Sequence, residues 1–540
     1  MKNPARPAAL LLAALLLLPL AACSKDTGDG KVISYPIDTA PRRLDPAIAG
    51  TAEELLVINN CFEGLVRQDA DGTLAPGAAK SWEISPDGLT YTFRLREDNR
   101  WKPHPAEAKQ LLGEEAYNAF DTRVTAEDFR FGLARALDPA TKSPGADALY
   151  AIKNARAVHE GKKRPEELGV EARELFTLVI TLERPSATFL YALTHSAAMP
   201  CNQAYFEATK GRYGLSPRHL LCNGPLYLSS LGGNLARLRR NDGYREDWAT
   251  GPAAVNLRVQ PSMETRLQYL GEEDGYDAVP VPAALLADGE ADAYESVLLQ
   301  NAALSLLFNC GGTPLNDTKL RAALCAALDT AALGMPAPGA LLTDGLRVGG
   351  EGYRALAGLP RGIAHDMDRA RQLLKECGLD GKLRLTLLCA PQHDTLLRRV
   401  LQQWQSLLGL TLEARIETLE PEELLGRLRG GDYDIALAAL PMGSSSALEA
   451  LRGLAESGGA GNWMRYSSNT LDALLRDAAQ TADAESCAAA CLRAEEHLLL
   501  GGVVYPLMPQ AGLLLLAPGV QDLVISPAGD QIFFGYAKKF

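Results

Sequence analysis

The chain has 540 residues, of which 47% are hydrophobic and 22% are charged, the proportions of an ordinary globular protein. One hydrophobic core rarely organises so long a chain, so two or three domains are expected. The formal net charge of −12 argues against unspecific binding to nucleic acid or to an anionic membrane surface, and we expect no nucleic acid partner.

The N-terminus resembles a secretory signal peptide. Lys2 and Arg6 precede an apolar stretch over residues 8–22, which is shorter than the ~20 residues of a membrane-spanning helix. The stretch ends in Leu-Ala-Ala-Cys at 20–23, which resembles the bacterial lipobox. That resemblance implies that Cys23 carries a diacylglyceryl group and becomes the first residue of the mature chain. The alternative is an ordinary signal peptide followed by an incidental cysteine.

Residues 24–30 are polar and contain glycine, which is typical of a flexible tether. No second apolar segment long enough to span a membrane follows in the sequence. We therefore predict a signal peptide at 1–22 and a lipidated tether at 23–30. The mature protein would then belong to the cell envelope, anchored by lipid to a membrane surface outside the cytoplasm.

The first half of the chain predicts a mixture of hairpins and helices. The turn sequence Ser-Pro-Asp-Gly at 85–88 lies between two strand-like runs and predicts a hairpin. Tyr91, Phe93 and Leu95 would share one face of this hairpin. The apolar run at 176–182 predicts a further strand.

The second half predicts a parallel, doubly wound sheet. Alternating leucines predict a strand at 383–387, and apolar residues at helical spacing predict a helix over 397–408. A second alternation predicts a strand at 410–416, Pro421 marks the start of another helix, and the apolar run at 433–440 predicts a buried strand. The order strand, helix, strand, helix, strand implies parallel pairing, so we expect at least two α/β lobes.

Nine cysteines follow Cys23 and are scattered along the chain. None forms a CxxC pair and no histidine lies at metal-ligand spacing, so we expect no metal site. An odd number in an exported protein leaves at least one thiol free, and most should be buried as small hydrophobic residues. Cys487 and Cys491 share a helix face, where a disulfide would strain the helix. The sequence leaves every other pairing open.

Known catalytic motifs are absent from the sequence. It has no GxSxG nucleophile elbow, no HExxH, no P-loop and no dinucleotide-binding fingerprint. The seven histidines are dispersed, which weakens any hypothesis of metal or nucleophile–base chemistry. The sequence therefore predicts a binding protein, without catalytic residues or a cofactor, rather than an enzyme.

Several short motifs occur in order along the chain: LDP at 44–46, FEGLV at 62–66, PGAAKSW at 76–82, SPDG at 85–88, VTAEDF at 124–129, NGP at 223–225 and ND with a following arginine at 316–321. Together they resemble the oligopeptide-binding proteins of ABC importers, solute-binding family five. The resemblance runs from about Leu44 to the end of the chain. Many of these residues form turns, caps and cores, so they indicate the fold better than the ligand.

The resemblance implies an α/β fold of the periplasmic-binding-protein type, type II, with two lobes, a hinge and an inserted accessory domain. The predicted limits are 31–75, 190–300 and 495–540 for the first lobe, 76–189 for the accessory domain and 301–494 for the second lobe. In this family the solute is enclosed between the lobes as they close. Strand edges pair with the peptide backbone, and wet pockets accept varied side chains.

The sequence departs from the family where the α-amino group of the peptide is bound. The family has an aspartate there, but residues 440–446 read Leu-Pro-Met-Gly-Ser-Ser-Ser, and no acid occurs before Glu449. A buried ammonium group without a carboxylate is costly, so we expect that a free N-terminus is not held in the usual way. Three interpretations follow. The ligand is a blocked or modified peptide or a different solute, or other residues in the cleft bind the amine, or the protein has drifted into a role with poor ligand binding.

By position alone, the candidate ligand-binding residues are Asn223, Gly443, Ser444, Ser445, Trp463 and Tyr466. For Asn223, forming the turn before Gly224 is at least as good an interpretation. For the two aromatic residues, core packing is favoured.

The primary interpretation is the substrate-binding lipoprotein of an ABC importer. We expect a monomer with a peptide or a small solute as ligand, and with permease and ATPase subunits as partners. The alternative is a surface signalling or adhesion protein that kept the fold without transport. A neighbouring permease and ATPase in the genome would favour the first interpretation. A lipid-anchored hydrolase is disfavoured because nucleophile and metal motifs are missing.

Overall fold

The computed structural model describes residues 31–540, apart from 70–71, 103–104, 246–250, 283–292, 313, 336–338, 343–345, 349–350, 379–381, 409–410, 442–445, 460 and 527–530. The predicted signal peptide, Cys23 and the tether lie outside the described residues. In the part of the chain that the structure describes, no helix is both long and apolar enough to span a membrane.

The strands form three larger sheets and several short two-stranded ones within the described residues. Their bounds are β1 Val32–Ile37, β2 Val66–Gln68, β3 Leu74–Pro76, β4 Ala79–Ile84, β5 Thr90–Leu95, β6 Val170–Glu174, β7 Thr177–Thr181, β8 Leu226–Gly232, β9 Leu235–Arg240, β10 Ala254–Val259, β11 Ala278–Pro282, β12 Glu295–Phe308, β13 Arg347–Val348, β14 Glu351–Gly352, β15 Lys382–Cys389, β16 Thr411–Thr418, β17 Ile435–Pro441, β18 Val504–Leu516, β19 Val520–Gln521, β20 Val524–Ile525, β21 Ile532–Phe533 and β22 Lys538–Lys539.

The α-helices are spread along the whole of the described chain. Their bounds are α1 Ala52–Cys61, α2 Pro105–Leu112, α3 Glu114–Asn118, α4 Ala126–Leu137, α5 Ala155–His159, α6 Phe189–Ala192, α7 Gln203–Ala208, α8 Met263–Gln268, α9 Thr318–Ala326, α10 Tyr353–Ala357, α11 Met367–Glu376, α12 Asp394–Leu408, α13 Pro421–Gly430, α14 Ala447–Ala455, α15 Asn469–Ala479 and α16 Ala484–Leu500.

The first lobe is built on a four-stranded sheet with the order β1-β10-β9-β8. β1 pairs with β10 in parallel, whereas β10, β9 and β8 pair in antiparallel fashion. Helix α1 packs against β8. It begins with a capping box, in which Thr51 Oγ1 accepts a hydrogen bond from Glu54 N and the Glu54 carboxylate accepts one from Thr51 N.

The accessory sheet is antiparallel and has the order β4-β5-β7-β6. The hairpin predicted around residues 85–88 is confirmed, because β4 and β5 pair on either side of this turn. Gly88 has a φ of +70°, a conformation that favours glycine. Tyr91, Phe93 and Leu95 are all buried, as their shared face predicted. The strand predicted at 176–182 is β7.

The second lobe is built on a six-stranded sheet with the order β11-β18-β12-β17-β15-β16. The predicted doubly wound unit is confirmed, because β15 pairs in parallel with both β16 and β17. Helices α12 and α13 form the two crossovers, and Pro421 occupies the first turn of α13, where its missing N–H costs nothing. The remaining strands of this sheet pair in antiparallel fashion, so the complete sheet is mixed.

Helices cover both faces of this sheet. Adjacent residues point to opposite faces, so that Leu388 and Ala436 pack under α14, α15 and α16, whereas Leu387 and Leu437 pack under α9, α11 and α12. Trp404 lies in the second of these layers, fully buried, and its Nε1 donates a hydrogen bond to Leu324 O at 2.9 Å. The second lobe is therefore a three-layer α/β/α unit.

Two long strands, β12 and β18, connect the lobes. Residues 295–299 and 512–516 pair with each other beside β11, which adjoins the first lobe through the hydrogen bond from Asp277 N to Ser34 O, 2.9 Å long. Farther along, residues 302–308 and 504–510 lie beside β17 in the second lobe. The pairing of β12 with β18 is irregular between these two parts, after Leu299.

The accessory sheet and the first lobe share one continuous hydrophobic core. Ile33 and Leu257 of the first lobe belong to the same buried cluster as Phe93 and Leu133 of the accessory part. The domain limits given above stay a prediction. Four of them fall inside regular elements, because 75/76 lies within β3, 189/190 within α6, 300/301 within β12 and 494/495 within α16.

Candidate functional site

A cavity of about 540 Å³ lies between the accessory part and the second lobe. One wall comes from residues 147–162 and 183–192, and the other comes from helices α14 and α15. The volume falls within the range of roughly 300–1,000 Å³ that is typical of small-molecule pockets. One wall belongs to the accessory part, which shares its core with the first lobe, and the other belongs to the second lobe, so the cavity is positioned to hold a ligand between the two bodies.

Two hydrogen bonds cross between the walls at one edge of the cavity. Ala187 N donates to Thr481 O at 2.8 Å, and the Arg184 guanidinium donates to Gln480 Oε1. Arg184 and Gln480 also line the cavity. The two lobes are thus in direct contact at this edge in the described conformation.

The second-lobe wall carries a row of charges on helix α14. Arg452 Nη1 lies 3.4 Å from Glu449 Oε1, and its Nε lies 3.3 Å from Glu456 Oε2. The pKa of Glu449 is raised above its ordinary value, mainly by burial. Arg452 opposes this shift, whereas the charge of Asp147 on the opposite wall adds to it. Burial opposes the charge of Arg452, but the two glutamates raise its pKa above the ordinary value. Arg452 is therefore a fixed positive charge between two carboxylates.

The accessory wall combines an aromatic ring with further charges. The Arg156 guanidinium lies 4.7 Å from the centre of the Tyr150 ring, within the range of a cation–π contact. Burial raises the pKa of Tyr150, and Asp147 contributes in the same direction. Ala151, Ala155 and other apolar side chains complete this wall. The cavity thus offers apolar surface together with charges of both signs, a lining that suits an amphipathic ligand such as a peptide.

Two other cavities are less suited to a ligand. One, of about 50 Å³, lies inside the first lobe between the end of α1, the residues that follow it and residues 531–535, and it is too small for more than a few waters. The other, of about 530 Å³, is an open polar surface on the second lobe. There Arg427 already pairs with Glu417 at 3.0 Å and with Asp432 at 2.8 Å.

Asn223 is fully buried in the first lobe, away from this cavity. Its Oδ1 accepts a hydrogen bond from Glu63 N at 3.0 Å, and its Nδ2 donates one to Glu63 O at 2.9 Å. The side chain therefore joins the loop after α1 to the chain segment that precedes β8.

Trp463 and Tyr466 are half-buried against the core under α14, α15 and α16. Trp463 O accepts a hydrogen bond from Tyr433 Oη at 2.9 Å, and Tyr466 Oη lies 2.9 Å from His497 Nε2. Neither residue is among the described residues that line the cavity.

Gly443, Ser444 and Ser445 lie outside the described residues. They belong to the connection between β17 and α14, and the first turn of α14 contributes Leu448 and Glu449 to the cavity wall.

Sequence reasoning missed Tyr150, Arg156 and Arg452. The spacing of Glu449, Arg452 and Glu456 by three and four residues was visible, but on an amphipathic helix this pattern usually marks an exposed surface. Tyr150 and Arg156 follow the Ser-Pro motif at 143–144 without any periodic signal. Only the packing of α14 against the accessory part reveals them.

The sequence profile of the bacterial extracellular solute-binding proteins, family 5 Middle, matches residues 73–462. Among curated proteins, the chain is 27% identical over 519 residues to the probable deoxycholate-binding periplasmic protein YgiS of Escherichia coli (strain K12), covering 93% of this chain and 92% of that protein. It is 26% identical over 511 residues to the periplasmic oligopeptide-binding protein OppA of Haemophilus influenzae, covering 91% of each.

Solved structures show the same architecture. The complex of Haemophilus influenzae OppA with the peptide RPPGFSPFR superposes with a TM-score of 0.72 at 24% identity, covering 95% of this chain and 99% of that one. The substrate-binding protein CtaP of Listeria monocytogenes gives 0.75 at 20% identity, with the same coverage. The two-lobed type II fold expected from the sequence is thereby confirmed, and the relatives place the chain outside the cytoplasm. The profile covers well over half of the sequence, so the chain belongs to the bacterial extracellular solute-binding proteins of family 5.

Proposed function

We propose that this protein is the substrate-binding lipoprotein of an ABC importer and that it captures peptides in the cavity between the accessory part and the second lobe. The observation that carries the proposal is this cavity. One wall belongs to the accessory part, which shares its core with the first lobe, and the other belongs to the second lobe, which β12 and β18 connect to the first. The names of relatives from Haemophilus influenzae and Bacillus subtilis, both oligopeptide-binding proteins, support the ligand class. The protein binds and delivers its ligand without catalysis.

Ligand binding would stabilise the closed arrangement of the lobes. A ligand that contacts α14 on one side and residues 147–162 on the other makes both sets of contacts only when the lobes are together. The irregular pairing after Leu299 is a natural place for the bending that separates them. A permease would then distinguish the closed, loaded protein from the open one.

The charges in the cavity suit a peptide without selecting its sequence. Glu449 and Asp147 can attract an ammonium or guanidinium group, whereas Arg452 and Arg156 can attract a carboxylate. Because Arg452 already pairs with Glu449 and Glu456, the α-amino group of a peptide does not meet a free carboxylate on α14. A blocked or modified peptide, or another amphipathic solute, would need no such carboxylate on α14.

A first experiment identifies the bound ligand. The full-length protein is purified without denaturation, and the compounds released from it are identified by mass spectrometry. We expect peptides without a free α-amino group. Peptides with free N-termini would contradict the inference about the missing acid, and a bile acid such as deoxycholate would replace the peptide proposal with the ligand class of the Escherichia coli relative.

A second experiment tests the site. Titration calorimetry with an N-acetylated peptide found in the first experiment should show at least tenfold weaker binding for Arg452→Met, because this change removes the central charge of α14. The control is Arg384→Met on the exposed face of the second lobe, where Arg384 pairs with Glu413. If Arg452→Met binds as tightly as the unchanged protein, the ligand does not occupy this cavity.

The anchor is tested separately. We propose that Cys23 carries the lipid, so Cys23→Ala should release the protein from the membrane fraction into the soluble fraction of the producing cells. Ser24→Ala serves as the control and should remain with the membrane. Equal membrane association of both variants would contradict the anchor without touching the ligand proposal.

The surface signalling or adhesion protein remains the alternative from a different class. Both functions allow ligand binding, but only the importer requires a permease and an ATPase. Deleting the gene should abolish uptake of the bound peptide in the native cell. Undiminished uptake, combined with a loss of surface attachment or of a signalling response, would favour the alternative.

A further inference from the structure

Two cysteines that are far apart in the sequence meet in the core of the first lobe. Cys61 is the last residue of α1, and Cys222 lies shortly before β8. Both are buried, with exposed fractions of 0% and 2%. The side chain of Cys222 interacts with that of Cys61, so the two thiols face each other.

The backbone around the two cysteines is held in fixed register. Gly224 N donates a hydrogen bond to Cys61 O at 2.9 Å, and the Asn223 side chain makes its two hydrogen bonds to Glu63. A Cβ atom at Gly224 would lie only 2.7 Å from the carbonyl carbon of Cys61, so the two chain segments touch. The backbone of Cys222 is held as well, because its carbonyl oxygen accepts a hydrogen bond from Lys102 N at 2.7 Å. The contact between the thiols is therefore built by the surrounding fold.

A second pair of facing thiols provides a contrast. Cys487 and Cys491 also interact, but they lie one turn apart on α16, where a disulfide would distort the helix. Cys61 and Cys222 belong to two different segments, so joining them does not require any helix to unwind. Both pairs are buried and in thiol contact, and they differ in this geometry.

We propose that Cys61 and Cys222 form a disulfide in the mature protein. The protein belongs to a family that functions outside the cytoplasm, where disulfides persist. In the reaction, each thiol loses its proton and the pair loses two electrons to a disulfide oxidant, which is reduced to two thiols. A bond forms between the two Sγ atoms, and the sulfur–sulfur bond of the oxidant breaks. The cross-link ties the end of α1 to the start of β8 and closes a loop of about 160 residues.

The bond forms while the chain folds. Burial and the neighbouring Cys222 raise the pKa of Cys61 well above its ordinary value, so the folded pair contains almost no reactive thiolate. An oxidant therefore has to act before the core of the first lobe closes, as an exported chain emerges. After folding, the same burial protects the disulfide from reductants.

The test uses the full-length chain, unfolded in denaturant with a reductant and then refolded in a mixture of oxidised and reduced glutathione. Digestion without a reductant, followed by mass spectrometry, should yield a peptide pair joined through Cys61 and Cys222. The same experiment should yield no bond between Cys487 and Cys491. Protein refolded in reductant alone should unfold at a lower temperature, by a shift on the order of 5 °C.

The variants Cys61→Ser and Cys222→Ser should each abolish both the joined peptides and the difference between oxidised and reduced protein. The mass spectrum of the unchanged chain decides the outcome even if a variant does not fold. Recovery of both cysteines as free thiols, or of either one joined to a different cysteine, would overturn the proposal. No ligand is needed, so the outcome is independent of the importer proposal.

Discussion

The two sides of the cavity differ in their internal packing. The first lobe and the accessory sheet share one core, and a buried ion pair joins them, because Arg135 of α4 binds both carboxylate oxygens of Asp45 at 2.7 and 2.5 Å. The second lobe has its own two core layers on either side of one sheet. The difference indicates that the accessory part moves with the first lobe, whereas the second lobe can move or unfold as a separate unit.

The buried charges follow the same division. Asp45 and Arg135 connect the first lobe with the accessory part, and Arg135 also lies 4.6 Å from the centre of the Phe206 ring. In the second lobe, by contrast, Glu495 of α16 ties down residues of its own lobe. A substitution in the Asp45–Arg135 pair should weaken the contact between the first lobe and the accessory part. A substitution at Glu495 should weaken only the second lobe.

The largest effect is expected for Glu495→Gln. The Glu495 carboxylate is fully buried and accepts hydrogen bonds from Leu341 N, Leu342 N, Tyr353 Oη and the Arg354 guanidinium, all between 2.6 and 2.9 Å. An amide in its place leaves Arg354 as an unpaired buried cation, which costs about 4 kcal/mol of the free energy of unfolding. Denaturant unfolding should then show an early transition of the second lobe.

Glu496 provides a matched control one residue away. It pairs with Arg361, whose side chain is 80% exposed, so Glu496→Gln should change the free energy of unfolding by less than about 1 kcal/mol. If Glu495→Gln instead shifted one single transition of the whole protein, the second lobe would not be an independent unit, and the comparison of the two sides would fail.

The next effect is expected for Arg135→Met. This change leaves the Asp45 carboxylate buried with a single remaining hydrogen bond from Ala47 N among those described, and it should cost about 3 kcal/mol. The first lobe and the accessory part should both lose stability, because they share the core that this pair crosses. The control is Arg130→Met on the same helix, which removes a partly exposed pair with Glu127. Amide hydrogen exchange monitors the two parts separately. If only the accessory part lost protection, the shared core would not couple it to the first lobe.

The elements with strong periodicity could be predicted from the sequence. The hairpin at 85–88 and the β15-to-β17 unit follow from alternation, helical spacing, Pro421 and the turn residues, all of which are local signals. The union of the first lobe and the accessory part could not be predicted in this way. It depends on Asp45 meeting Arg135 across 90 residues, and neither residue has a pattern that identifies its partner.

The site was harder to predict than the fold for the same reason. Its charged row on α14 has the spacing of any exposed helix face, and only the approach of residues 147–162 makes it the wall of a cavity. The Gly224-Pro225 sequence after Asn223 is a local signal for a turn, but its hydrogen bonds to Glu63 cross 160 residues and have no local signal. The contact of Cys61 with Cys222 was not predictable, since cysteine spacing does not report pairing.

A smaller effect is expected for Gly224→Ala in the first lobe. A Cβ atom there would lie 2.7 to 2.9 Å from backbone atoms of Cys61 and Phe62, which cannot move like a flexible side chain. The strain should cost about 2 kcal/mol and should appear only in the transition of the first lobe and the accessory part. Gly232→Ala is the control, because no atom lies within 4 Å of the added carbon. Equal stability of the two variants would show that the two segments are not held as closely as described.

The smallest effect is expected from pH, and histidines on both sides allow the two regions to be compared. Burial lowers the pKa of His497, which lies beside Tyr466 and Ser468 in the second lobe. Burial, together with Arg212 and Arg218, lowers the pKa of His219 in the first lobe. Below the ordinary pKa of 6.5, each histidine binds a proton in the unfolded chain but remains neutral in the folded chain until a lower pH. Stability is therefore retained above this pH and lost as the pH falls below it.

Each histidine should influence only its own region. Between pH 7.5 and 5.5, His497→Asn should flatten the pH dependence of the second-lobe transition and leave the other transition as it was, and His219→Asn should do the reverse. Each variant thus serves as the control for the other, and denaturant midpoints at several pH values are sufficient to compare them. His393 of the second lobe, whose pKa is also lowered by burial, should leave a residual slope after His497→Asn. If either variant changed the pH dependence of both transitions, the two regions would unfold together. A proton bound by a histidine in one region can destabilise the other region only through packing that the two regions share.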